Sequence, residues 1–127
     1  MFRLLAIGVA FVVMASAVSN WSARVAAAEA AADQKIDRTL PAGWTKEECV
    51  DVAAGARLDY SFRSTGVVSF NIHHHVGRET TYDVERHKTL ESDASLVAPV
   101  QARYCLTFTN EEAKEIKIEG RYAASTP

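Results

Sequence analysis

The sequence predicts an all-β fold: an antiparallel β-sandwich of about seven to eight strands, preceded by a signal peptide and a short Ala-rich linker. Three observations carry this. From Trp44 onwards apolar residues recur with period two, turn residues interrupt the alternation about every 10–12 positions, and no segment of that region carries a helical apolar stripe.

The chain has 127 residues, one domain's worth of material, and its beginning reads as an export signal. Arg3 is the only charge before Arg24, and residues 4–18 form an almost unbroken apolar run. A basic start, an apolar stretch and small residues at its end make a secretory signal peptide. Ala15-Ser16-Ala17 fits the small-x-small pattern, so cleavage is expected after Ala17, giving a signal peptide over 1–17. A second candidate lies at Ala26-Ala27-Ala28. An uncleaved anchor is the competing reading, and in that case the signal segment would be the only membrane contact. Fifteen helical residues reach only about 22 Å against a hydrocarbon core of roughly 30 Å. The expected location is periplasmic or secreted.

Residues 18–43 are read as a linker: alanine-rich, with helical propensity but no stripe wide enough to pack, and punctuated by Pro41 and Gly43. The sandwich is expected over 44–124. Val50 and Val52 alternate with Cys49, Asp51 and Ala53. Leu58, Tyr60 and Phe62 follow, then, after Ser64-Thr65-Gly66, Val68, Phe70 and Ile72. Beyond Gly77 come Thr80, Tyr82 and Val84, then a short segment from Ala94 to Val97, ended by Pro99. Ala102, Tyr104, Leu106 and Phe108 make the next strand, and Ile116 and Ile118 the last. Tyr60, Phe62, Phe70, Tyr104 and Phe108 all fall at core positions.

Without Arg3, 13 basic residues face 16 acidic ones, a mildly acidic module. It lacks the basic stripe that phosphate backbones require and the polybasic cluster that holds proteins on anionic lipid. Nucleic acid is therefore excluded as a partner, leaving an unidentified protein or small ligand.

The two cysteines, Cys49 and Cys105, both belong to the exported part. In an oxidising compartment such a pair is most simply a disulfide. The alternative is two buried thiols. Both cysteines are out of phase with the apolar set of their strands, so a bridge between them should lie on an outer sheet face. A domain of about 80 residues has a marginal core, so a bridge closing this loop, worth roughly 4 kcal/mol, would matter.

The segments Cys49-Val50, Gly55-Ala56-Arg57-Leu58 with the Tyr60/Phe62 strand, and Val68-Ser69-Phe70-Asn71-Ile72 resemble the first half of a GOLD domain. Ser95-Leu96-Val97-Ala98 and Arg103-Tyr104-Cys105-Leu106-Thr107-Phe108-Thr109-Asn110 are similar to its second half. GOLD domains are the lumenal β-sandwiches of cargo receptors that cycle between the endoplasmic reticulum and the Golgi. The resemblance implies a sandwich, an interaction role and an earlier cysteine as partner of Cys105. Here Cys105 follows Tyr104 directly, where the family usually places the cysteine two positions later. Those receptors also continue into a coiled coil and a membrane span, whereas this chain stops at Pro127, which suggests a free-standing exported module of bacterial type.

All four histidines fall between residues 73 and 87. His73 and His75 share the outward phase of their strand, about 7 Å apart, where two imidazoles can converge on one metal. His87 is the candidate third ligand, with Glu79, Asp83 and Glu85 as nearby carboxylates. His74 has the inward parity and should pack at the sandwich end. The plainer reading of this cluster is solvated surface. If a metal is held, zinc or copper(II) fits the donor set, since the only methionines, Met1 and Met14, lie in the export signal. No Gly-x-Ser-x-Gly elbow, His-Glu-x-x-His motif or Gly-rich phosphate loop is present, so no catalytic residue is assigned and the expectation is not an enzyme. The functional expectation is an exported, non-catalytic interaction module, with a periplasmic zinc- or copper-binding protein as the alternative.

Overall fold

The computed structural model describes residues 33–126; the signal peptide and the greater part of the expected linker lie outside them. The described chain is all-β and antiparallel. Its strands are β1 (Gln34–Leu40), β2 (Thr45–Val52), β3 (Arg57–Val76), β4 (Glu79–Val97), β5 (Ala102–Asn110) and β6 (Ile116–Ala124). They form one sheet in the order β1-β6-β3-β5-β2, with β4 along the other edge of β3.

The 20-residue β3 organises the molecule. Its residues 58–64 pair with β6 and its residues 68–74 pair with β5, while β4 pairs along its opposite edge at residues 57–63, 68 and 70–76. The sheet bends at Thr65–Val67, between the two pairings. Two half-sheets result, each with its inner face towards the other: β1, β6 and the first half of β3 against β2, β5 and the second half. Gly66 sits at the bend because a Cβ there would lie 2.5 Å from Ile116 Cγ2. The backbone N–H of Val67 donates to Glu112 Oε1 (3.0 Å) and that of Lys117 to Thr65 Oγ1 (2.9 Å), so the bend leaves these donors satisfied.

Leu58, Tyr60, Phe62, Val68, Phe70, Ile72, Tyr104, Leu106, Phe108, Ile116 and Ile118, the apolar phase of β3, β5 and β6, are all buried, joined by Ile36, Leu40 and Tyr122. Phe62 from one half meets Phe70 (centroids 4.8 Å) and Phe108 (5.0 Å, edge-on) from the other. Each such side chain contributes on the order of 1.5–3 kcal/mol through burial. Asn110, also buried, shares its amide N–H groups among the carbonyls of Leu40, Pro41 and Lys114, tying β1 to the β5–β6 turn.

Three features differ from the sequence reading, which expected seven to eight short strands. The Ser64-Thr65-Gly66 break is a bend within β3 rather than a turn between strands. Likewise β4 runs unbroken through the polar stretch from Glu85 to Asp93, because an edge strand with little cover has no need of an apolar face. Finally, β1 lies within the span read as linker. Its apolar residues Ile36 and Leu40 are four apart, and the inward position between them is Arg38, which masks the alternation. Arg38 is tolerated there because its Nε forms an ion pair with Glu48 Oε1 of β2 at 2.6 Å, although neither buried atom has a hydrogen bond of good geometry. This pair also joins the outermost strands of the two half-sheets.

Candidate functional site

The outer face of the half-sheet β2-β5-β3-β4 gathers the residues of chemical interest. The pairings Cys49↔Cys105, Cys105↔His73 and His73↔Tyr82 set four residues in one row across four strands. The next row runs Glu47, Thr107, Asn71, Glu85. Period-two geometry puts both rows on the face opposite Tyr104, Leu106 and Ile72.

Cys49 and Cys105 are joined as a disulfide between directly opposed residues, with Cα atoms 4.0 Å apart. The bridge lies on the outer face, as the phase of both cysteines requires, with Cys105 directly opposite His73. That histidine faces outward yet is only 9% exposed, a departure from the solvated position its parity suggested. Its Nδ1–H donates to Asn71 Oδ1 (2.9 Å), and Nε2 lies 3.6 Å from Glu47 Oε1. Thr107 donates to the same Glu47 oxygen at 3.2 Å. His75 is exposed and shares a 3.0 Å hydrogen bond with Thr80. The His73 and His75 rings meet edge-on with centroids 5.4 Å apart, and Tyr82 packs 5.8 Å from His73. A metal bound to two imidazole nitrogens at about 2.0 Å in tetrahedral geometry would hold ring centroids at roughly this separation.

His87 is not brought to this pair. Register places Arg86 opposite Phe70 and Tyr82 opposite His73, so His87 stands five residues along β4 from Tyr82, roughly 16 Å away at strand rise. Asp83 is also elsewhere: it turns inward to His74, which is buried against Tyr104 (centroids 4.7 Å). His74 thus occupies the inward place its parity indicated. Glu47 went unrecognised as a site residue because only the β2–β5–β3 pairing carries it to His73. Among the described residues, one group of three potential ligands lies within 4.8 Å of one another: Glu47, His73 and Cys105, the last with its sulfur in the disulfide.

A second feature is an open groove of about 390 Å³ on the outer face of the other half-sheet, lined by Arg57, Asp59, Ser61, Asp93, Ser95 and Arg121 among others. Ser95 donates to Asp59, and Arg57 Nε lies 2.9 Å from the same carboxylate. The Ser95 hydroxyl is the main reason that the Asp59 carboxyl is held below its ordinary value; partial burial opposes it and Arg57 reinforces it. Arg57, Asp59 and Ser95 are thus paired with one another, and Arg121 Nη1 lies 3.5 Å from Asp33 Oδ2.

No family model and no curated relative matches the chain. Among solved structures, the fold is similar to that of Aeromonas hydrophila PliG, a periplasmic lysozyme inhibitor of g-type lysozyme. The TM-score is 0.51 at 10% identity, covering 74% of this chain and 87% of that one. A de novo designed double-stranded β-helix, solved by solution NMR, matches with a TM-score of 0.37 at 15% identity, covering 72% of this chain and 97% of that one. The likeness to PliG is one of fold.

Proposed function

We propose that the chain is an exported, non-catalytic β-module that binds another protein through the outer face around the Cys49–Cys105 row. The observation that carries this reading is the combination of a cross-linked, hydrogen-bonded platform with an aromatic side chain standing on it: Tyr82 is 55% exposed beside His73. A rigid aromatic anchor loses little entropy on binding, which is why tyrosine is enriched at binding hot spots. The fold shared with PliG and the GOLD-like strand motifs point to the same class of role, and a g-type lysozyme is the first partner to try. A photo-crosslinking residue placed at position 82 in cells should yield a discrete protein adduct that the same residue at position 117 does not. Calorimetry with g-type lysozyme then identifies or excludes that partner. Absence of any adduct from positions 47, 75 and 82 would reject the reading.

The 5.4 Å spacing of the His73 and His75 rings favours a second reading, a zinc or copper site on this pair. Metal binding only the folded protein stabilises it by about 2.7 kcal/mol at 100 times the dissociation constant. The oxidised protein should then melt higher with zinc, and His75→Asn should abolish the shift. A melting temperature indifferent to zinc and copper returns both histidines to plain surface.

A further inference from the structure

We propose that reduction of the Cys49–Cys105 disulfide unmasks a zinc-class metal site formed by the two freed thiolates, His73 and Glu47. β2, β5 and β3 are consecutive neighbours, and their register sets Cys49, Cys105 and His73 side by side on one face. Glu47, two residues before Cys49, shares that face. Its carboxylate oxygen, a His73 ring nitrogen and Cys105 Sγ already lie within 4.8 Å of one another, and Cys49 Sγ is bonded to Cys105 Sγ. Two thiolates, an imidazole and a carboxylate are a donor set that zinc takes tetrahedrally. With bonds of about 2.0–2.3 Å its ligand atoms stand roughly 3.5–4 Å apart, so side-chain movements of about an ångström suffice.

His73 is oriented for this in advance. Its Nδ1–H is committed to Asn71 Oδ1 at 2.9 Å, which leaves Nε2, the nitrogen beside Glu47, as the free lone pair. A ligating histidine whose other N–H is anchored by a carbonyl oxygen is the usual arrangement around bound zinc. The backbone supports the site after the bridge is cut, because β2 and β5 remain paired from Thr45↔Thr109 to Val52↔Ala102 and keep the sulfurs opposite each other.

The disulfide sulfurs are neutral and poor ligands. A dithiol reductant supplies two electrons and two protons and leaves as its own disulfide, converting both cysteines to thiols. Binding of the metal then displaces the two thiol protons, and two metal–sulfur bonds replace one sulfur–sulfur bond. This site shares His73 with the histidine-pair reading but needs the thiolates and Glu47 in place of His75, so the two fail separately.

Cobalt(II) titration of the chain, oxidised and after reduction with a phosphine, tests the proposal. The reduced protein should bind one cobalt with thiolate-to-metal charge-transfer absorption and tetrahedral d–d bands, which zinc bleaches; the oxidised protein should show no charge-transfer band. In the reduced state His73→Asn and Glu47→Gln should each weaken binding at least about tenfold, the lower end of what even an outer partner costs. His75→Asn should leave it unchanged. If reduction alone unfolds the chain, cobalt should restore the β-sheet circular dichroism of the native sequence and not of His73→Asn. The proposal is overturned by a reduced, folded protein without the thiolate–cobalt band, by affinity indifferent to both substitutions, or by an unfolded chain that cobalt does not rescue.

Discussion

His74 Nδ1 lies 2.6 Å from Asp83 Oδ2, and the two side chains are 4% and 5% exposed. A β-bulge creates this pair. Ile72 is opposite Val84 but His73 is opposite Tyr82, so β4 carries one extra residue, and that residue is Asp83. The bulge turns Asp83 towards the inward-facing His74, keeps Val84 on the core side and puts Tyr82 on the outer face.

Removing one partner of a buried pair strands the other without its hydrogen bond. Asp83→Ala should therefore lower the unfolding free energy by about 2–4 kcal/mol, measured by chemical denaturation. The double replacement His74→Leu/Asp83→Leu should cost less than the sum of the two single changes, since no polar group is left stranded. A loss below about 0.5 kcal/mol for Asp83→Ala would show that the pair does not secure this end of the sheet.

Mass spectrometry without reduction should find the protein two hydrogens lighter than the dithiol. Replacing both cysteines with alanine should lower stability by about 4 kcal/mol, the value for a loop of this length. Two freely alkylatable thiols in the native protein would contradict the bridge.

Gly120 of β6 is registered to both Ile36 and Phe62, and a Cβ there would lie 2.7 Å from Phe62 Cα. The obstacle is backbone, which cannot swing aside. Gly120→Ala should destabilise by about 1–3 kcal/mol, read as a lower denaturation midpoint with an unchanged slope. A neutral substitution would mean that β6 approaches β3 less closely than described.

Asp59 sets the sign of one pH effect. Its folded value is depressed, so the stabilisation is fully present above the unfolded value near about 3.9 and is lost as pH falls through the lower folded value. Ser95→Ala removes the leading cause. The Asp59 carboxyl, followed by NMR, should then titrate closer to its ordinary value, and this contribution to acid sensitivity should shrink. An unmoved titration would assign the effect to Arg57 instead.

The inward set was readable where a strand is covered on one face: Leu58, Tyr60 and Phe62, Val68, Phe70 and Ile72, and Tyr104, Leu106 and Phe108 are all buried in the phase that their alternation indicates. It was unreadable at β1, where Arg38 occupies an inward position and only a partner on another strand, Glu48, makes that acceptable. It was also unreadable along the middle of β4, where little cover means no apolar period to detect. Within the histidine cluster, parity assigned the faces of His73, His74 and His75. It could not show that His73 is buried by its neighbours, or that His87 stands apart.

Alternation is a relation between residues two apart, so the chain alone was enough to specify the all-β class, the inward faces of its central strands and the outer position of both cysteines. Neighbours across the sheet are set by pairings between segments far apart in sequence, and these depend on where β3 bends and where β4 bulges. The fold therefore decided that Glu47 and Thr107, 60 positions apart, meet beside His73, and that Asp83 serves His74. The physical reason is that a one-residue bulge reverses which face a side chain takes, and it is stabilised only by the partner strand.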